Sequence, residues 1–209
     1  MGSFGRAPRP FKGRHGRVVV NLDPAERELL AGLLHDVAGL LDPEDETAAT
    51  ETAAADTAGT GDEWAQLEAA LAVAPPSDPA VARLLPDGNR DDPELAQSYR
   101  RLTEHGLRES KRAALATAAA ALRREDPVVL DRVEATALLK GMNDVRLVVA
   151  ERVGLRTDED ATALHLHLEL AARRPEDVPV PDAEQAWLGM AALYEALTWW
   201  QEALVAAVR

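Results

Sequence analysis

DPELAQSYRRLTEHGLRESKRAALATAAAAL, residues 92–122, runs for some thirty positions without a proline after its first turn and without a turn cluster. Asp92 can cap free N–H groups, and Pro93 at the first helical position loses nothing, so the stretch opens as a helix. The next proline is Pro127. Thirty-odd helical residues span roughly 45 Å, enough to scaffold a domain. Gly106 is the one weak position, costing about 1 kcal/mol relative to Ala.

The same start recurs at Asp23-Pro24 and Asp78-Pro79. After the first, Leu29, Leu30, Leu33, Leu34, Val37, Leu40 and Leu41 form an apolar helical stripe bordered by His35. Asp131 opens a further helix whose stripe is Leu138, Leu139, Met142, Val145, Val148 and Val149, with Gly154 to end it. Residues 158–174 are helical in propensity. A last helix begins near Asp182, where Trp187, Met190, Tyr194, Leu197, Gln201, Leu204 and Val208 repeat at heptad spacing. A short helix is expected over 64–73. The fold class is therefore all-α: a helical bundle with one long central helix and at most one short N-terminal strand, at Val18–Val20.

Charge divides the chain. Residues 1–17 carry Arg6, Arg9, Lys12, Arg14 and Arg17 and no acid. Since the whole stands at −13 and this arm contributes five positive charges, the remainder stands at −18. Such an arm is either a flexible tail or a reach toward an anionic partner. Residues 42–63 hold acids, Thr, Ala and Gly with no basic residue and no large apolar one, so ordering them returns little for the entropy lost. They read as a disordered acidic linker, or as a decoy that folds back on the arm. The division is a flexible basic arm at 1–17 and a single helical domain at 18–209 interrupted by that linker.

Two further clusters draw notice. Arg101, His105, Arg108 and Arg112, spaced 4, 3 and 4, share one helix face that could hold phosphate or a partner's carboxylates. The plainer reading is a solvated face braced by the i,i+4 set Arg100, Glu104 and Arg108. Asn143, Asp144 and Arg146 interrupt an apolar helix. Arg146 beside the buried stripe needs a partner, which Glu195 or Glu202 of the last helix, or an acid on the long one, would supply. With Gln201 these residues form a structural polar cluster. Gln201 within the heptad seam either tolerates burial in the bundle or fixes the register of a homodimer. On the first reading Gln201→Leu should stabilise.

No chemistry of cofactor or metal is expected. The chain has no Cys, which excludes disulfides, cysteine-ligated zinc and thiol catalysis. His165 and His167 lie two apart and so project to nearly opposite sides of a helix. The GMND segment at 141–144 has one Gly and cannot cradle a phosphate. No nucleophile–base pair, dinucleotide fingerprint or His-Glu zinc pattern is present, so the protein reads as a non-enzyme. Without a signal peptide or a membrane-length apolar run it reads as cytoplasmic.

GRVVVNLDPAERELLAGLL, ARLLPDGNRDDPELAQSYRRLTEHGLRESKRAALATAAAAL, GMNDVRLVVAERVGL and LYEALTWWQEALV together resemble the successive blocks of an actinobacterial family of unknown function. Some of its members carry the name of the oxidative-stress transcriptional regulator AosR, and its genes commonly neighbour that of the protease adaptor ClpS. The resemblance implies a regulator of the stress response acting through protein or DNA contacts, here without a thiol switch. It equally admits a protein-interaction module linked to Clp-dependent regulated proteolysis. A protein partner is expected on either reading, and nucleic acid on the first.

Overall fold

The computed structural model describes residues 9–42, 76–89, 91–175 and 179–209. The expected arm residue Arg6, the helix expected at 64–73 and all of the expected linker but Asp42 lie outside them. Helices make up 71% of the described residues, six in number, with a three-stranded sheet at the N-terminal side.

In chain order the elements are β1 (Phe11–Arg14), β2 (Arg17–Val20), α1 (Pro24–Leu40), α2 (Pro79–Leu84), α3 (Pro93–Leu122), β3 (Val129–Leu130), α4 (Arg132–Val153), α5 (Asp158–Ala172) and α6 (Asp182–Val208). All three Asp-Pro starts are realised, with Asp23, Asp78 and Asp92 each accepting a backbone N–H of the first turn. Asp131 closes a reciprocal capping box with Glu134, and Gly154 ends the same helix in the left-handed conformation at φ 82°.

Three strands stand where at most one was expected, and from Arg9 onward the arm is not a tail. The strands β1 and β2 pair antiparallel, Phe11 with Val20 and Arg14 with Arg17, and β3 joins on the other side of β2. His15 and Gly16 fill the two-residue turn with φ 50° and 76°, the pair of positive angles that a tight right-twisting hairpin demands. Strand alternation then turns Phe11, Val18 and Val20 inward and leaves Lys12, Arg14 and Arg17 exposed. Phe11 is 1% exposed. Burying that ring contributes about 2 kcal/mol, and the buried Val18 and Val20 add to it against the entropy cost of ordering the hairpin.

The long helix α3 has 30 residues, yet the hub of the core is α4, which packs against α1, α2, α3, α6 and the sheet. Leu138, Met142 and Val145 of α4 are sealed in the core. Gly141 lets the helices close: a Cβ there would lie 2.6 Å from Leu34 Cδ2 and 3.3 Å from Leu115 Cδ2. That is the role of the glycine in the GMND segment. By contrast Tyr99, Leu102 and Leu107, in the first half of α3, are exposed. His35, expected beside the buried stripe, is exposed as well.

Candidate anion-binding groove

Position 13 ties the hairpin to the end of the chain. A Cβ on Gly13 would stand 2.3 Å from the Ala207 carbonyl oxygen, so only glycine allows the strand to rest on the last turns of α6. Between the two elements runs a groove of about 1020 Å³. Its cationic side is Arg9, Lys12 and Arg14, with Arg132 at the start of α4 and Arg209 after α6, and His15 of the hairpin turn also lines it. Ala135, Ala203, Ala206 and Ala207 supply a shallow apolar lining, Trp199 stands beside it half-exposed, and Glu202 is its one acid.

What distinguishes these cations is that nothing described neutralises them. Twelve Arg or Lys side chains form ion pairs, among them Arg27 with Asp126, Lys111 with Asp144 and Arg152 with Asp78. Among the described residues, Arg9, Lys12, Arg14, Arg17, Arg132 and Arg209 form none, and they gather on or beside the hairpin. Elsewhere only Arg101, Lys140 and Arg146 lack a described carboxylate. The last turn of α6 has no basic residue of its own, so the hairpin's charges also oppose the negative end of that helix dipole, an effect of about 0.3–1 kcal/mol.

The second expected basic face is not a surface of this kind. Arg108 is buried and bonded to Glu104 at 2.8 Å, and Arg100 meets the other oxygen of Glu104 at 2.9 Å. Arg100 also holds Asp87, which fastens the loop after α2 onto α3. Arg112 pairs with Asp42 at 2.8 Å, Arg101 donates to the Ser98 hydroxyl at 3.1 Å, and His105 is exposed. The i,i+4 arrangement read from the sequence is present, but sealed rather than solvated.

The expected polar cluster is likewise divided. Arg146 Nη1 donates to Gln201 Oε1 at 2.7 Å, and its guanidinium lies 5.4 Å from the Tyr194 ring centroid. The last helix does supply the partner, but through a neutral amide that follows the ring, rather than through Glu195 or Glu202. Gln201 is thereby committed inside the chain. Asp144 turns to Lys111 of α3 at 2.7 Å, Glu202 lies in the hairpin groove, and Asn143 is exposed. Sequence reading missed Arg132, Arg209, His15 and Trp199, which no local pattern connects to residues 9–17. A usable signal for the hairpin was present in FKGRHGRVVV, where x-Gly sits between two stretches that alternate Phe11, Gly13 and Val18, Val20.

No group of three or more His, Asp or Glu able to hold a metal occurs among the described residues. Nor is any described helix long and apolar enough to cross a membrane. The profile that matches this chain covers residues 8–208, hairpin and last helix included. The chain belongs to the DUF2017 family, a domain of unknown function. No curated protein and no solved structure matches it. The DUF2017 match spans both walls of the groove, so hairpin and α6 belong to the same family domain.

Proposed function

We propose that this DUF2017 protein is a non-enzymatic regulatory protein that acts by holding an anionic partner in the hairpin groove. The observation that carries this reading is the gathering, in a chain of net charge −13, of Arg9, Lys12, Arg14, Arg132 and Arg209 around one groove with Arg17 beside them on the hairpin, none of them paired with a carboxylate among the described residues. Charges left without carboxylates in an acidic protein cost solubility and stability little when solvated, and their use is to attract and orient an oppositely charged partner. A role in transcriptional regulation of the stress response, in the cytoplasm, agrees with the resemblance to proteins named AosR. The absence of Cys means that such a regulator would answer to its partner's presence rather than to thiol oxidation.

Binding of a fluorescent polyanion, followed as salt is raised, tests the reading. Affinity should fall steeply with salt, and the triple change K12E/R14E/R17E should lower it by at least about ten-fold at low salt. Equal binding by the charge-reversed and native proteins would overturn it.

A second reading, a protein-interaction module tied to Clp-dependent proteolysis, has its own support. A groove of about 440 Å³ between α5 and α6 is lined by Leu170, Ala171, Trp187 and Leu188, with the Arg174–Glu184 pair beside it. Leu170 is more than half exposed there, as is Leu166 elsewhere on the same helix, and α5 buries only Leu164 fully.

A further inference from the structure

Taking the hairpin groove as an anion site, as above, we propose that its occupant is a short acidic segment of another protein, seated with one large apolar side chain on the alanine lining beside Trp199, and not a nucleic acid. Shape is the first reason. The groove that Arg9, Lys12, Arg14, Arg132 and Arg209 line is also lined by small apolar side chains, Ala135, Ala203, Ala206 and Ala207. A duplex presents a convex, uniformly charged backbone, which would meet the rim and leave this lining unused. An extended peptide can place carboxylates toward Lys12, Arg14 and Arg132 and an apolar side chain between them. The volume, about 1020 Å³, matches a few residues of chain.

The distribution of charge points the same way. Glu202 stands in the trough and has no ion pair among the described residues. A carboxylate there repels phosphate and carboxylate alike, but it can accept an N–H, a donor that a peptide backbone carries and a sugar–phosphate backbone lacks. The whole chain carries a net charge of −13, and repulsion by that net charge grows with the charge of the ligand, so a short segment meets less of it than a long polyanion with a charge about every 1.7 Å.

Two details of the walls complete the fit. As the edge strand, β1 directs Lys12 and Arg14 main-chain groups to β2, so those of Gly13 turn away from the sheet. Gly13 is exposed, and no described residue bonds to its N–H or C=O, which leaves a donor and an acceptor for a peptide backbone. Trp199, 50% exposed, is the one exposed aromatic of the groove. Single-stranded nucleic acid is held by successive stacking platforms, and one ring serves an apolar side chain better than a row of bases.

Fluorescence anisotropy with the full chain separates the occupants, using four probes of equal charge, about six negative. These are an acidic peptide with a central Leu-Phe pair, oligoglutamate, a single-stranded oligonucleotide and a duplex. The Leu-Phe peptide should bind at least about ten-fold tighter than the other three. A206L, which fills the trough at an exposed position without altering charge, and W199A should each remove that advantage while leaving oligoglutamate binding unchanged. K12E/R14E should abolish both. If an oligonucleotide binds tightest and K12E/R14E abolishes it, the anion site stands and the peptide assignment is wrong. A peptide advantage that survives both A206L and W199A would also overturn the assignment. If no probe depends on Lys12 and Arg14, the anion site itself fails. Helical circular dichroism equal to that of the native chain confirms that each variant is folded.

Discussion

Two stretches of this acidic chain hold an excess of positive charge, residues 9–17 and residues 100–112, and folding treats them in opposite ways. On α3 the excess is cancelled: Glu104 sits between Arg100 and Arg108 at helical spacing, and Asp42 and Asp144 arrive from elsewhere to meet Arg112 and Lys111. On the hairpin no described residue cancels it, because the strands contain no acid and their period of two sets Lys12 and Arg14 side by side along one face. A helix can carry its own counterion one turn away, whereas a short basic strand has to find one in the fold or in a partner. Charge density along a sequence is therefore a poor guide to a binding surface until the neutralising partners are known.

Removing Glu104 should break the comparison most severely. Glu104→Ala leaves two guanidinium groups in a site where the side chains of Arg100, Glu104 and Arg108 are all under 10% exposed, and it should cost about 3 kcal/mol in urea denaturation. Lys12→Gln with Arg14→Gln should change stability by less than about 0.5 kcal/mol, since both groups are solvated and have no ion-pair partner among the described residues. Similar losses in the two variants would mean that the hairpin charges are structural after all.

Gly13→Ala addresses the hairpin from its other side. The new Cβ meets the α6 backbone rather than a mobile side-chain end, so about 1–3 kcal/mol should be lost through displacement of β1. Anion affinity should fall in the same variant although no charge has changed. Unaltered affinity would separate the groove from the seating of the strand on α6.

Next in size is Gln201→Leu. The sequence alone predicts a gain, from removing a poorly paired buried amide. The structure reverses the sign, because Arg146 Nη1 loses its acceptor, and a loss of about 1–2 kcal/mol is expected. Tyr194→Leu combined with it should cost less than the two single changes added together, if the three side chains act as one unit. A melting temperature raised by Gln201→Leu would restore the earlier expectation.

A modest effect belongs to Asp78, which caps α2 and binds Arg152 at 2.5 Å and 3.1 Å. The Arg152 hydrogen bond holds its carboxyl below the ordinary value of 3.8. Because the folded-state value is the lower one, the stabilisation is fully present above about pH 5 and is lost as pH falls through 3.8 and then through the depressed value. The pair is partly solvated, so Arg152→Met should cost under about 1 kcal/mol at neutral pH and nothing below the folded-state value. A difference independent of pH would assign the loss to packing of the arginine stem.

Local signals settled the helices. The Asp-Pro starts at 23, 78 and 92 and the capping Asp131 with its terminal Gly154 were all legible, because caps and i,i+4 stripes act over a few residues. The absence of cysteine chemistry and the segregation of charge were equally a property of the sequence. Tertiary structure alone decided what those charges mean. It paired Val18 and Val19 with Leu130 and Val129, more than a hundred positions away, and so turned an apparent tail into the edge of a sheet. It gave the centre of the core to α4 rather than to the longest helix, since centrality depends on how many neighbours a face can meet and not on helix length. It also brought Asp42 to Arg112 and Asp144 to Lys111 while bringing no carboxylate of the described residues to Arg9, Lys12, Arg14 or Arg17. Neutralisation requires atoms within about 4 Å, and which atoms come that close is fixed by packing over the whole chain, not by spacing along it.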